Sequence, residues 1–187
     1  AEVRIWGQTA PQAMQSVGEY LADAKPDMVL LLGDRFEIMA AAMAAHLQRI
    51  PIAHLCGGDV TAGSYDDAMR DCVSRMAALH FVTSDASKRR LRVMLDEPVI
   101  HNVGSPGIDY ILHAHWRRER PIAEPYVVVS YQAETLTGTV DLPAVHEAIA
   151  GRRAVWIEPN PDRGNEQIEG GATYTHAEFL NLLAHCE

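Results

Sequence analysis

The sequence predicts a parallel α/β protein, and three features of the chain support that prediction. Apolar segments alternate with helix-forming segments about every 20 to 30 residues, as in sheets whose parallel strands are joined by helices. The segment DMVLLLGD, residues 27–34, is an apolar run closed by Gly-Asp, which is typical of a strand buried on both faces. Polar residues and glycines follow each predicted strand, where open parallel sheets bind their ligands.

The first part of the chain is predicted to hold four strands joined by three helices. The strands are short apolar runs at 27–34, 50–55 and 79–84, and a fourth starts at 98 and runs into a Gly-Ser-Pro-Gly turn. The helices are rich in alanine or in charge, and they are predicted at 36–49, 66–78 and 85–97. Ser84 or Asp85 is predicted to cap the third helix.

A polar segment with two prolines, residues 110–125, indicates the tail of a helix and then a linker. Beyond it the pattern resumes, with strands predicted at 126–131 and 153–159 and helices at 142–150 and 176–186. We therefore predict two domains, residues 1–121 including the linker and residues 122–187.

Composition and charge exclude several classes of protein. A hydrophobic content of 48% with 22% charged residues is typical of a globular chain. The formal net charge of -9 argues against a nucleic-acid surface, which needs basic residues to displace counterions. The basic cluster at residues 88–92 is interpreted as the solvated face of a helix.

The chain also lacks the patterns of membrane and disulfide-rich proteins. No stretch approaches the roughly 20 apolar residues of a membrane span, and no basic-then-apolar leader opens the sequence. The three cysteines are far apart, which is not a disulfide framework. We expect a protein of the reducing cytoplasm without membrane contact.

Five blocks of sequence carry a family resemblance. They are Gly-Asp-Arg-Phe-Glu at 33–37, the loop 54–63, Asp66-Asp67 with Arg70, His80-Phe81, and residues 102–109. In this order and spacing they resemble the hydrolysing UDP-N-acetylglucosamine 2-epimerases. The resemblance implies two Rossmann-like domains in a glycosyltransferase-B-like arrangement, both incomplete in this chain.

The same resemblance implies an activity. Enzymes of this family convert UDP-N-acetylglucosamine to N-acetylmannosamine and UDP on the way to sialic acids or related sugars. The route it implies is elimination of UDP to a glycal, followed by addition of water, with no redox cofactor. The expected partner is therefore a UDP-sugar, and a homodimer is what the resemblance further implies.

Two carboxylates match the family's catalytic positions. Asp34 matches a strand-end carboxylate implicated in proton transfer, although it is also placed to cap the helix that starts at Phe36. Asp66 matches a second carboxylate after the glycine loop, and its alternative role is that of a partner of the helix macrodipole. The hypothesis requires both carboxylates to share one cavity.

The remaining candidates are predicted to bind substrate, and each has a structural alternative. Arg70 could orient the Asp66 carboxylate, bind phosphate or form a surface ion pair. His54 could be a hydrogen-bonded core residue, and the glycines could serve tight turns rather than approach a ligand. The full set of predicted substrate-binding residues is Arg35, His54, Gly57, Gly58, Arg70, Gly104, Ser105 and Gln132.

Two positions depart from the family pattern. Cys56 stands where better-known members carry glutamate or histidine, and we expect it to be a small buried hydrophobe. Gln132 stands where the family has a histidine, and glutamine cannot transfer a proton at neutral pH. These departures keep two alternatives open, a sugar-nucleotide-binding homologue that has lost turnover and a different sugar-nucleotide hydrolase or glycosyltransferase of the same fold.

Neither a metal site nor an unbroken family sequence is expected. His54, Cys56 and Asp59 could be imagined as metal ligands, but their spacing matches no standard zinc pattern, so no metal or cofactor is predicted. The family's first strand and glycine loop would precede Ala1, and its serine-rich phosphate loop would follow Glu187. We therefore expect these residues to be part of a longer protein.

Overall fold

The computed structural model describes residues 9–113, 121–134 and 136–159, together with residues 168, 178, 182 and 183. The chain divides into two compact units, Ala1–Leu112 and His113–Glu187. Each unit contains a parallel sheet, so the predicted α/β class is confirmed. The domain boundary after residue 121 stays a prediction, because residues 114–120 lie outside the described residues.

The first unit alternates helices and strands along the chain. Its elements are α1 (Ala10–Ala24), β1 (Val29–Leu32), α2 (Phe36–Leu47), β2 (Ile52–Leu55), α3 (Asp66–Met76), β3 (Leu79–Val82), α4 (Asp85–Met94), β4 (Val99–Asn102) and α5 (Pro106–His113). The four strands form one sheet in the order β1-β2-β3-β4, and every neighbouring pair is parallel. All four carboxyl ends therefore lie along one edge of this sheet.

Strand β1 is buried on one face only, so the expectation of burial on both faces is wrong for this strand. Leu31 is 6% exposed and belongs to the core, whereas Leu30 and Leu32 are 63% and 55% exposed. β1 lies at one edge of the sheet that the described strands form, and the α1–α2 layer packs on the Leu31 side. A continuous apolar run cannot by itself reveal which of its faces is covered.

Helix α1 was not among the predicted elements. It begins after Thr9, whose backbone N–H donates to Oε1 of Gln12 at 2.9 Å, and its core-facing residues Ala13, Val17 and Leu21 follow a spacing of four. This stripe packs against α2, whose alanines are largely buried. Small side chains let two helices and a sheet approach closely, as expected for α2.

Helices α3 and α4 begin next to the carboxyl edge of the sheet. Asp66 and Asp67 lie in the first turn of α3, where acid is favoured. Ser84 caps α4, because its Oγ accepts a hydrogen bond from the backbone of Ser87 at 3.2 Å. The loop 56–65 lies between β2 and α3, so these helix starts and the loop surround the ends of the first three strands.

The second unit is smaller. It contains β5 (Val127–Val129), α6 (Leu142–Ala148) and β6 (Ala154–Trp156), and its two strands pair in parallel. Tyr126 is fully buried and its hydroxyl donates to the carbonyl of Leu182 at 3.0 Å. The predicted helix 176–186 falls mostly outside the described residues. Among the helices that are described, none has the length and apolarity to cross a membrane.

Candidate active site

A cavity of about 600 Å³ opens at the carboxyl ends of β1, β2 and β3 in the first unit. Its wall combines two arginines, two carboxylates, hydroxyls and a thiol. The lining residues are Asp34, Cys56, Gly58, Asp59, Val60, Thr61, Arg70, Ser84, Ala86, Ser87 and Arg90. A concave site with a few convergent polar groups at a sheet edge is where α/β proteins bind small molecules.

Arg70 is the centre of the cavity's polar network. Its Nη1 donates to the carbonyl of Asp59 at 2.7 Å and to the Asp67 carboxylate, and its Nη2 donates to Thr61 Oγ1 at 3.0 Å and to the Asp34 carboxylate. Each Nη atom carries two hydrogens, so these bonds use every Nη–H. Arg70 is 4% exposed, so its ion pairs are not surface ion pairs. Its Nη–H groups already donate to protein acceptors, so none of them is left to bind a phosphate.

Asp34 is held by this network rather than by the helix that follows it. Arg35 occupies the N-cap position of α2, and Asp34 makes its ion pair with Nη2 of Arg70. The helix-cap alternative is therefore wrong. About a fifth of the Asp34 side chain, 21%, remains exposed at the cavity wall, which leaves it accessible to a ligand.

Asp67, not Asp66, is the carboxylate that Arg70 contacts on α3. Asp67 Oδ1 accepts from Arg70 and from the backbone of Thr61 at 2.9 Å. Asp66 instead accepts from Ser64 Oγ at 2.9 Å and does not belong to the residues that line the cavity with Asp34. The expectation that Asp34 and Asp66 share one cavity is not met, and a catalytic role for Asp66 stays a prediction.

His54 is a buried positioning residue. It is 0% exposed, its Nε2 donates to the carbonyl of Gly33 at 2.8 Å, and its Nδ1 therefore accepts from Ser74 Oγ at 3.0 Å. Burial lowers the pKa of His54, so the ring is neutral at pH 7. Both nitrogens are engaged, which supports the core-histidine alternative over direct contact with substrate.

The two neighbouring glycines are required by packing. A Cβ on Gly57 would lie 2.7 Å from Ser74 Oγ and 2.9 Å from His54 Nδ1. A Cβ on Gly58 would lie 2.5 Å from the carbonyl of Ser87, and Gly58 has φ of +78°. Gly58 lines the cavity as the ligand-approach hypothesis requires, whereas Gly57 is buried behind it.

Asp59 links the glycine loop to the next strand and helix. Its Oδ1 accepts from Thr83 Oγ1 at 2.7 Å and from Ser87 Oγ at 2.5 Å. Ser87 in turn lies 2.7 Å from Ser84 Oγ, so hydroxyls connect Asp59 to the capping residue of α4. These contacts fix the Asp59 carboxylate on the cavity wall.

Cys56 is not the buried hydrophobe that we expected. It is partly exposed, lines the cavity and has φ of +64°, a left-handed conformation that is uncommon for a residue with a side chain. Burial and the negative charge of Asp59 raise the pKa of the Cys56 thiol, so it stays protonated at neutral pH. Within the described residues, no group of three or more metal-binding side chains is placed to hold an ion.

Several predicted binding residues lie away from this cavity. Arg35 is exposed and pairs with Glu37, with 3.4 Å between Nε and Oε2. Gly104 and Ser105 precede α5 at the end of β4 and do not line the cavity. Gln132 is an exposed residue of the second unit. Of the ten predicted site residues, the cavity contains Asp34, Gly58 and Arg70.

Other lining residues were not predicted as site residues. Arg90 was assigned to the solvated face of α4, yet it lines the cavity and its Nη2 lies 3.1 Å from Asp71 Oδ2. Ser84, Ser87 and Asp59 also belong to the wall. The sequence does offer a signal for Asp59 and Ser84, because they follow the predicted strands β2 and β3. The carboxyl ends of parallel strands lie along one edge of the sheet, where ligands bind.

The parallel sheet and its charged strand-end cavity define an α/β protein with a cavity of the size and polarity that suit a small polar ligand. Over residues 5–186 the chain matches the protein family described as UDP-N-acetylglucosamine 2-epimerase. The chain belongs to this family, and the resemblance stated from its motifs is confirmed.

Curated relatives extend this finding. The chain is 42% identical over 94 residues to a GDP/UDP-N,N'-diacetylbacillosamine 2-epimerase (hydrolyzing) of Campylobacter jejuni, covering 50% of the chain and 24% of the relative. It is 26% identical over 181 residues to polysialic acid biosynthesis protein P7 of Escherichia coli, covering 89% of the chain and 46% of the relative. The chain thus spans less than half the length of these two relatives.

Solved structures share the fold. Staphylococcus aureus MnaA, in a co-structure with UDP, has a TM-score of 0.77 at 14% identity and covers 100% of this chain and 57% of its own. UDP-GlcNAc 2-epimerase from Neisseria meningitidis bound to UDP-GlcNAc has a TM-score of 0.69 at 17% identity and covers 98% of this chain and 60% of its own. At these identities the likeness establishes the fold alone.

Proposed function

We propose that this chain is part of a hydrolysing 2-epimerase that converts UDP-N-acetylglucosamine to N-acetylmannosamine and UDP. The observation that carries the proposal is Asp34, a strand-end carboxylate held by Arg70 on the wall of the cavity. A volume of about 600 Å³ lies within the usual range of small-molecule sites. Family membership and the hydrolysing relatives support the same activity.

The reaction would proceed in two steps. A base removes the C2 proton, the C–H electron pair forms the C1–C2 double bond, and the C1–O bond breaks so that UDP leaves with its electron pair. The oxygen of a water then bonds to C1 and keeps one of its protons as the C1 hydroxyl, while its other proton passes to a base. The C1–C2 double-bond electrons take up a proton at C2, on the face opposite to the one that lost it. Inversion at C2 therefore needs proton-transfer groups on both faces of the sugar.

Asp34 is proposed as one of these groups. The Arg70 network fixes the direction of its carboxylate, and the bond from His54 to the carbonyl of Gly33 fixes the backbone just before it. A group held in place before the reaction loses little entropy in reaching the transition state. Arg70 is proposed to position Asp34 rather than to bind phosphate, because its Nη donors are already engaged.

A second candidate substrate is UDP-N,N'-diacetylbacillosamine. Two relatives are named as N,N'-diacetylbacillosamine 2-epimerases, for the GDP/UDP-sugar in Campylobacter jejuni and for the UDP-sugar in Legionella pneumophila. They are 42% and 45% identical to this chain over half of its length. Relatives named UDP-N-acetylglucosamine 2-epimerase are 28% and 32% identical over longer alignments. The competing function, a binding protein without turnover, is favoured by the protonated Cys56 thiol and by Gln132, since neither side chain is a base at pH 7.

Deuterium exchange tests these proposals against one another. The intact protein is incubated in D₂O with either UDP-sugar, and the products are examined by NMR. A hydrolysing epimerase gives a free sugar with deuterium at C2 and inverted configuration, together with UDP. Ligand shifts without products would support the binding protein, and UDP release without deuterium at C2 would support a transferase or a simple hydrolase.

Asp34→Asn should abolish this exchange. We expect a loss in kcat of about 10²- to 10⁴-fold, because an acid–base group is removed while the amide keeps its size. Asp23→Asn, on the exposed face of α1, is the matched control and should retain wild-type turnover. Unchanged turnover in Asp34→Asn would refute the assigned role.

Two broader expectations accompany the proposal. Cytoplasmic location is supported by the cysteine pattern of the sequence and by the nucleotide-sugar chemistry of the family. A homodimer is supported by the family resemblance, and sedimentation of the intact protein would test it.

A further inference from the structure

We propose that Asp59 is the second carboxylate of the epimerisation, so that Asp34 and Asp59 each exchange a proton with the sugar. This inference rests on the proposed function, because it assigns a further residue to that reaction. The starting observation is that Asp59 and Asp34 line the same cavity, whereas Asp66 and Asp67 are not part of its wall.

Asp59 reaches the cavity from a different strand end than Asp34. Asp34 follows β1, and Asp59 lies in the loop that follows β2. A reaction that inverts C2 needs proton-transfer groups on two sides of the ring. Asp34 and Asp59 approach one cavity from separate strand ends, which fits that requirement, whereas Asp66 does not line this cavity.

The contacts of Asp59 leave one of its oxygens for a reaction. Thr83 and Ser87 both donate to Oδ1, at 2.7 and 2.5 Å, so Oδ2 is not used by either hydroxyl. Both donors are neutral, whereas Asp34 and Asp67 each form an ion pair with the Arg70 guanidinium. Within the part of the chain that the structure describes, these hydroxyls orient the Asp59 carboxylate and no cation forms an ion pair with it.

The backbone of Asp59 is also fixed. Arg70 Nη1 donates to its carbonyl at 2.7 Å, and the same guanidinium holds the Asp34 carboxylate. One buried arginine thus sets the positions of both proposed proton-transfer groups. Cys56 lies three residues earlier on the same wall, and its thiol keeps its proton at neutral pH and is not a base there. Asp59 is the carboxylate that this loop places on the cavity wall.

The test compares Asp59→Asn with Asp66→Asn in the intact protein by deuterium incorporation at C2. We expect Asp59→Asn to lower kcat by about 10²- to 10⁴-fold with KM changed little, and to lower it far more than Asp66→Asn does. Asp96→Asn, an exposed residue beyond the end of α4, is the matched control. The proposal would be overturned if Asp66→Asn were inactive while Asp59→Asn kept a kcat within about threefold of wild type, a loss far smaller than removal of an acid–base group causes.

Chemical rescue separates catalysis from folding. In Asp59→Ala, added formate should restore part of the exchange, whereas equal chloride should not, because only a carboxylate can replace the lost proton carrier. Ser87→Ala keeps the carboxylate and removes one of its donors, so it should lower kcat less than Asp59→Asn does. An Asp59→Ala protein that folds, as judged by circular dichroism, yet shows no rescue would contradict the role.

Failure of the inference and failure of the proposed function give different results. A wild-type protein that forms no C2-deuterated sugar from either UDP-sugar overturns both. A wild-type protein that forms it, beside a fully active Asp59→Asn, overturns only the assignment of Asp59.

Discussion

His54 and His80 lie side by side on β2 and β3, yet they belong to two different regions of the first unit. His54 joins the network behind the candidate site, and both of its nitrogens are hydrogen-bonded. His80 lines a separate cavity of about 300 Å³ with Arg75, Asp96 and Glu97. Within the described part of the chain, the buried Nδ1 of His80 has no hydrogen-bond partner.

This difference shows how burial acts on the same side chain in two settings. Burial lowers the pKa of both histidines, and the nearby His54 lowers that of His80 further, to about 4. Around His54 the buried ring nitrogens are both hydrogen-bonded, so removing the ring leaves its partners unsatisfied. His80 is buried as a neutral imidazole, and burial disfavours its charged form. Lowering the pH should therefore destabilise the fold around His80.

The largest effect should come from the centre of the matched network. Arg70→Ala leaves the Asp34 and Asp67 carboxylates without their cation, and we expect the free energy of unfolding to fall by about 3 kcal/mol. That value is the lower end for a broken buried pair, because the two carboxylates are 21% and 24% exposed. Urea unfolding of Arg70→Ala beside Arg92→Ala, an exposed control on α4, measures it. Equal stability of the two variants would mean that the network does not stabilise the fold.

A smaller effect is expected from His54→Leu. The change leaves the carbonyl of Gly33 and the hydroxyl of Ser74 without their partner, at a cost of about 2 kcal/mol. Turnover should also fall, because the backbone before Asp34 loses its anchor. His46→Leu, at the exposed end of α2, is the control for both unfolding and turnover. Loss of turnover with unchanged stability would indicate that His54 touches the substrate.

The smallest effect concerns His80 and depends on pH. Because its pKa is lower in the folded protein, the unfolded chain binds more protons between about pH 4 and 6.5, and stability falls as the pH falls through that window. From pH 7 to 5.5 we expect a loss of about 1 kcal/mol attributable to His80. Urea unfolding at both pH values should show a shallower decline for His80→Leu. Parallel declines in the two proteins would contradict the assignment.

Much of the fold was accessible from the sequence, because its signals are local. The apolar runs that became β1, β2 and β3 and the Ser84 cap of α4 follow from composition and spacing within a few residues. Helix α1, which is not among the predicted elements, also carries a local signal, the Thr9–Gln12 pair followed by an apolar stripe with a spacing of four residues. Exposure of Leu30 and Leu32 depends on neighbours that no local pattern encodes.

The site was predicted less completely, for a physical reason. Asp66 and Asp67 both lie within one helical turn of Arg70, so spacing alone could not decide which carboxylate makes the ion pair. The partners of Asp59 are more than twenty positions away, Thr83 just after β3 and Ser87 in α4. Contacts of that kind are fixed by the order of strands in the sheet rather than by residues nearby in sequence.

The hydrogen bond from His54 to the carbonyl of Gly33 affects how variants of this protein should be scored. A mutational screen that measures only product formation would count His54 among the residues that handle protons. The imidazole ring instead fixes the peptide that precedes Asp34 through this hydrogen bond. Screens of this protein therefore need a folding measurement for every inactive variant. Without it, residues that only position Asp34 would be counted as catalytic residues.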